Sequence, residues 1–285
     1  MTWVVVAGCV AALVAVGALV YWQLIIAEGA YMGPRVVART YDWVARRYDA
    51  IKQFDPGDED WFIAAPLWRR LAGVDRPLLL DVATGTGRVP RALVRNRLVA
   101  TGGQIVGLDL SWGMLRQAKA NLRDCGDRVS LVWQDASCLP FDDGTFDAVT
   151  CLEALEFLPS PREALAEMVR VLAPGGLLMV TNRVGNAARL LPGRTFSRPL
   201  FQQMLAALPL HDVETRAWQA DYDLAMARKV GNGDLAGRGG VSLTSLLRCP
   251  VCRDPVDQPA GRLVCVGCGR VFRVRDGIVA LAERE

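Results

Sequence analysis

The stretch Leu78-Leu79-Leu80-Asp81-Val82-Ala83-Thr84-Gly85-Thr86-Gly87 decides how this chain reads. An apolar run that ends in an acid and then in closely spaced glycines predicts a buried parallel strand turning sharply into a helix. The missing side chains let backbone and ligand come close. Asp109, closing the second apolar run Ile105-Val106-Gly107-Leu108-Asp109, follows 22 residues after Gly87. At that interval a carboxylate falls where a ribose diol sits, so the two signals together predict a nucleotide-cofactor pocket. A dinucleotide fingerprint needs a third glycine three residues after Gly87, where the chain has Pro90, and no Gly-Lys-Ser/Thr follows to make a phosphate loop. Pro90 suits the first turn of a helix, where its missing N–H costs little. The expected cofactor therefore has no pyrophosphate.

Four motifs in order resemble the class I S-adenosylmethionine (SAM) methyltransferases. Asp81, Ala83, Thr84, Gly85, Thr86 and Gly87 resemble the family's first motif, with Ala83 where a glycine is commoner. Gln134-Asp135-Ala136, the run Leu139-Pro140-Phe141-Asp142-Asp143-Gly144-Thr145-Phe146-Asp147-Ala148-Val149, and Arg170 to Val180 with its Pro174-Gly175-Gly176 turn resemble the next three. The resemblance implies SAM as cofactor, Asp109 on both ribose hydroxyls, Asp135 and Ala136 beside the adenine amino group, and Leu110 and Met114 against the adenine ring. It also implies a Rossmann-like seven-stranded α/β sheet with helices on both faces. Strands are expected near 77–83, 104–110, 128–134, 146–152, 176–182, 211–218 and 222–229, the last two as a hairpin.

At 285 residues and net charge +3, the chain has room for one sizeable domain plus small additions, and its charge gives no general case for a nucleic-acid partner. The hydrophobic excess sits at one end. Trp3 to Ala27 carries no charged residue, and at about 1.5 Å rise per residue it exceeds the roughly 30 Å hydrocarbon core, predicting a single-pass transmembrane helix. Trp3, Tyr21 and Trp22 fit the interfacial aromatic belt. A signal peptide is the alternative, but it has a positively charged start and a shorter apolar core. Arg35, Arg39, Arg46 and Arg47 follow the span, so the positive-inside rule puts the later domains in the cytoplasm.

Cys249-Pro-Val-Cys252 and Cys265-Val-Gly-Cys268 form two C-x-x-C knuckles 12 residues apart. Four thiolates from two such turns suit a closed tetrahedral Zn(II) site, and a tail of about 40 residues buries too little to fold without that metal. Disulfides are the alternative, disfavoured in a reducing compartment. From Leu247 to Ile278, through Arg275-Asp276-Gly277-Ile278, the tail resembles the small zinc-binding activator of tRNA, rRNA and release-factor methyltransferases. That activator covers an apolar edge of its partner's sheet, and for a fused copy the resemblance leaves two arrangements open, packing on its own sheet or on a partner.

The expected organisation is a membrane anchor at 1–30, a methyltransferase domain at 31–230, a glycine-rich tether at 231–244 and a zinc ribbon at 245–285. Val36 to Phe54 and Trp61 to Leu71 read as amphipathic helices forming a lid. Within them Tyr41-Asp42 and Tyr48-Asp49 resemble the Tyr-Asp segment of quinone-biosynthesis and phospholipid methyltransferases. In an open α/β sheet, ligands bind at the carboxyl ends of strands, which makes Glu153, Glu156, Asn182 and Arg183 the catalytic candidates. For Glu156 a solvated helix face is the competing reading. The only histidine, His211, is expected to be structural. With an anchor, the expected acceptor is a lipid, a quinone-like ring or another apolar small molecule. Two alternatives remain: a tRNA, rRNA or protein substrate brought by the ribbon, and a scaffold with a vestigial cofactor fold.

Overall fold

Leucine runs with no polar alternation need an apolar layer on both faces, and the computed structural model puts them at the centre of a sheet. It describes residues 2–95, 102–231, 235 and 237–282. The first seven strands are β1 (Leu78–Val82), β2 (Gln104–Asp109), β3 (Val129–Trp133), β4 (Phe146–Cys151), β5 (Leu172–Arg183), β6 (Leu210–Trp218) and β7 (Tyr222–Lys229). The first five run parallel, with β1 between β2 and β4, while β7 is antiparallel to β5 and forms a hairpin with β6. β5 begins four residues earlier than expected. Leu172 pairs with Phe146 before a register shift at the Pro174-Gly175 turn.

Before the sheet lie α1 (Thr2–Tyr21), α2 (Pro34–Val44), α3 (Tyr48–Lys52), α4 (Pro56–Glu59) and α5 (Ala65–Arg70). The crossovers carry α6 (Arg88–Arg95), α7 (Trp112–Asn121) and α8 (Pro161–Val171), and α9 (Gly185–Ala188) and α10 (Arg198–Ala206) follow β5. Thr2–Ile26 is one continuous apolar stretch of 25 residues with mean hydropathy 2.6, unburied in its most apolar window. Its foot is built into the domain. The Trp22 indole N–H donates to Leu190 O at 2.9 Å, the Tyr31 hydroxyl to Pro192 O at 2.8 Å and Arg194 Nη2 to Ala30 O at 2.7 Å.

The seven-stranded expectation needs correction, because among the described residues the sheet has eleven strands. After α11 (Leu243–Leu246), the tail forms β8 (Val256–Asp257), β9 (Leu263–Cys265), β10 (Val271–Arg275) and β11 (Ile278–Ala280). β11 lies parallel to β3, with Ile278, Val279 and Ala280 opposite Leu131, Val132 and Trp133. Without it β3 would be an edge strand with a row of unpaired backbone groups. Leu247 and Cys249 are fully buried and share one apolar cluster with Phe141 and Phe146. The ribbon is therefore continuous with the main core.

The segment read as a flexible tether is partly docked. A Cβ at Gly237 would meet Asp75 O at 1.4 Å, Gly239 N donates to Arg76 O at 2.7 Å, and Arg238 Nη1 pairs with buried Asp147 at 2.6 Å. Close backbone approach is what these glycines permit. Residues 232–234 and 236 of the predicted tether lie outside the described residues.

Candidate functional site

The turn after β1 runs through three positive-φ residues, Ala83 (55°), Gly85 (54°) and Gly87 (82°). Ala83 thus occupies a conformation that strains any residue with a Cβ, which explains why glycine is the easier choice there. Asp81 is buried beneath the turn, where the Thr84 and Thr150 hydroxyls each donate to its carboxylate at 2.6 Å. Burial outweighs these bonds and pushes its pKa up to about 6. Asp109, at the end of β2, accepts from Gly85 N and Ser111 N at 2.8 Å each. Its pKa also rises to about 6, again chiefly through burial.

The lid closes over this turn by two Tyr-Asp pairs seven residues apart. Asp42 Oδ1 accepts from Ser111 Oγ at 2.7 Å and Gly113 N at 2.6 Å, clipping α2 to the start of α7. Asp49 accepts from the Thr86 hydroxyl and from Asn121 Nδ2 at 3.1 Å, and pairs with Arg91 Nη1 at 3.1 Å. The tyrosines face inward with ring centroids 5.9 Å apart, and Tyr41 donates to Glu28 Oε2 at 2.7 Å. Resemblance alone singles out this segment in the sequence, where nothing marks its two aspartates as clips.

Beneath the lid is a cleft enclosing about 740 Å³ of empty space, the open solvent at its mouth included. Of the expected cofactor residues, Ala83, Gly85, Asp109, Leu110, Met114, Asp135 and Ala136 line it, with Tyr41, Tyr48 and Phe157 opposite. Asp81, Thr84 and Thr86 face an adjoining cavity that shares Ala83 and Gly85. Gly87 lines neither, and a Cβ on it would strike Leu122. At Gly85, by contrast, nothing lies within 4 Å of where a Cβ would point. The open space over that backbone and the exposed edge of Asp109 fit SAM.

A second cavity shares Tyr41, Glu153 and Phe157 with the first and adds Glu28, Lys52, Arg88, Arg183, Asp221 and Tyr222. It is polar. Glu153 touches both cavities but is engaged by Lys52 Nζ at 3.0 Å and by Arg88 Nη1 at 2.5 Å. Burial works to raise its pKa, but the two cations prevail and hold it below the usual carboxylate range. Glu156 is no solvated helix face. It is buried in a short 3₁₀ turn, 1% exposed, with its pKa raised by burial. One of its oxygens accepts from the Tyr222 hydroxyl at 2.7 Å and the other has no partner among the described residues. Tyr222 thus stands between Glu156 and the cavity. Asn182 exchanges two hydrogen bonds with Phe196 and holds a loop, whereas Arg183 lines the cavity with a buried Nε that has no partner among the described residues. His211 is half-exposed on β6 beside Asp212, away from both cavities.

Cys249, Cys252, Cys265 and Cys268 bring their Sγ atoms within 4.8 Å of one another. Cys249–Cys268 and Cys252–Cys265 are 3.7 and 3.3 Å apart and unbonded. A tetrahedron with Zn–S near 2.3 Å has edges of about 3.8 Å, so the set fits one Zn(II). Val251 N and Cys268 N point at Cys249 and Cys265 sulfurs, as each knuckle requires.

The sheet order, the glycine turn and the acid pair define a SAM-methyltransferase type of α/β domain. A family described as "Methyltransferase domain" matches residues 80–180, and one described as "Trm112p-like protein" matches 241–277. A demethylmenaquinone methyltransferase of Parafrankia sp. is 35% identical over 61% of this chain and 68% of its own length. One from Clavibacter sepedonicus is 38% identical over 52% and 58% respectively. A structure of the Haloferax volcanii Trm112 methyltransferase activator in complex with a methyltransferase matches with a TM-score of 0.51 at 21% identity, covering 68% of this chain and 97% of that one. That likeness speaks to fold alone. The chain belongs to the family of SAM-dependent methyltransferases represented by these demethylmenaquinone methyltransferases. It spans between about half and two thirds of the length of such curated relatives.

Proposed function

We propose that this chain is a membrane-anchored SAM-dependent methyltransferase acting on a quinone-like or other lipid-borne ring at the cytoplasmic face, with Zn(II) in its ribbon. The observation that carries the reading is the junction of two cavities at Glu153, Tyr41 and Phe157. One is shaped for the cofactor and the other opens beside it at the carboxyl ends of β4 and β5. The demethylmenaquinone relatives support the quinone-like acceptor.

When bound, SAM supplies a methyl on a sulfonium. Asp109 and Asp135 would orient its nucleoside, Leu110 and Met114 would pack its ring, and Asp81 would hold the glycine turn from below. What remains for the chain is to keep the acceptor in line and water out, the task of the lid tyrosines and Phe157. A ring carbon is nucleophilic enough when a neighbouring phenol is ionised. The Tyr222–Glu156 pair supplies the cavity with a proton acceptor, and Arg183 a cation to stabilise the phenolate.

The anchor reading, over a cleaved signal, is supported by Trp22, which lies inside the apolar stretch and bonds to Leu190 of the domain. The alternative of a macromolecular substrate rests on the Trm112p-like tail. Here the ribbon spends its last strand on β3 of its own chain, which favours a built-in stabiliser over a substrate-presenting arm. Calorimetry of the full chain in detergent with SAM tests the enzyme reading: binding lost in Asp109→Ala is expected, and no binding by either protein would leave only the scaffold.

A further inference from the structure

The helix that roofs the cofactor cleft has a second, exposed face. On its inner side, Pro34, Val37, Ala38 and Tyr41 line the cleft. Facing away from the cleft, Arg39 and Trp43 lie four residues apart, with Arg35 one turn before them at the rim of a surface cavity it shares with Leu110 and Asp135, and the exposed run goes on through Arg46, Arg47 and Ile51. All six are exposed, Trp43 at 87% and Ile51 at 63%. None of the four guanidiniums meets a carboxylate among the described residues, whereas those of Arg70, Arg88, Arg91 and Arg95, elsewhere on the domain, do. A tryptophan left almost bare amid unpaired arginines is the composition of an interfacial helix, with the ring at headgroup depth and the cations on phosphates.

Position supports the same partner. Only six residues separate Ala27, at the foot of the apolar stretch, from Pro34. They are folded back on themselves by bonds such as Gly29 N to Gln23 O at 2.9 Å and Met32 N to Gly29 O at 2.9 Å. The basic face therefore begins close to where α1 would leave a bilayer. We propose that the outer face of α2 and α3, carried by Arg35, Arg39, Trp43, Arg46, Arg47 and Ile51, is a second membrane contact that takes anionic phospholipid headgroups. This rests on the reading of Thr2–Ile26 as a membrane span. With the contact made, the bilayer holds the roof of the cofactor cleft, and the acceptor cavity beginning at Lys52 and Phe54 opens next to the lipid surface.

The test uses the full chain in nanodiscs of brominated phosphatidylcholine, with or without phosphatidylglycerol. Fluorescence quenching specific to Trp43 is read as the difference from Trp43→Phe. The expected result is a Trp43 component that deepens at least about twofold with phosphatidylglycerol and disappears in Arg39→Glu/Arg46→Glu, which keeps SAM binding as evidence of folding. A chain that enters the discs but shows no Trp43 component overturns the lid contact alone and leaves the anchor and the enzyme reading standing. A chain that does not enter the discs overturns anchor and lid contact together. Hydrogen exchange of 34–52, slowed by structured RNA in detergent and not by anionic discs, would reassign the face to nucleic acid and overturn the proposal.

Discussion

Ile278 of the ribbon sits in parallel register with Leu131 of β3, 147 residues earlier in the chain, and both side chains are buried. The four-cysteine ribbon and the main sheet thereby share one continuous core. Ile278→Ala is expected to cost the whole domain about 2–5 kcal/mol. Stripping the metal with a chelator should accelerate hydrogen exchange at 129–133 as well as within the ribbon. Unchanged exchange in β3 would mean that the ribbon is an independent appendage.

Asp81 and Asp109 share a pH signature. Their ordinary pKa near 3.8 is raised to about 6 in the fold, so the folded protein holds these protons more tightly than the unfolded chain. Their ionisation therefore costs stability fully above pH 6, and the cost is gone below about pH 4. Ribose hydroxyls donating to ionised Asp109 would favour the charged form, so SAM affinity should fall as pH drops through 6. Calorimetry near pH 6 in buffers of different ionisation enthalpy should detect proton release on binding. An affinity flat between pH 7.5 and 5.5, choices bracketing the pKa of about 6, would remove Asp109 from the ribose site.

Tyr222→Phe and Glu156→Gln should each lower kcat by about tenfold or more while leaving SAM affinity unchanged, because Tyr222 lines the proposed acceptor cavity and Glu156 backs it. The acid limb of the kcat profile should also shift. If both variants keep kcat within about twofold, the pair is a buried hydrogen bond and no more.

Asp49→Ala removes the lid's contacts with Thr86 of the glycine turn, Arg91 of α6 and Asn121 of α7. SAM should bind more weakly by about 1–2 kcal/mol, with faster exchange across 34–52. Unaltered exchange there would show that the lid is held by its tyrosines.

The pocket was legible because its signals are local: the glycines must follow β1 and the acid must end β2, whatever else the chain does. Six of the seven core strands fall within two residues of their expected bounds for the same reason. The eleven-stranded sheet was not legible, since nothing in Ile278 to Ala280 names β3 as its neighbour. Glu156 misled through its position after a strand, where exposure is the usual outcome; only the hairpin that brings Tyr222 over it reveals the burial. The roles of Asp42 and Asp49 were half-visible in the repeated Tyr-Asp pair, but their partners Ser111 and Thr86 come from separate loops.

The most direct test is to incubate the full chain and methyl-labelled SAM separately with membrane lipids, a quinone extract and total RNA. Label is expected in the quinone or lipid fraction, and its loss in Asp109→Ala. Label confined to RNA, or none in any fraction, would contradict the account.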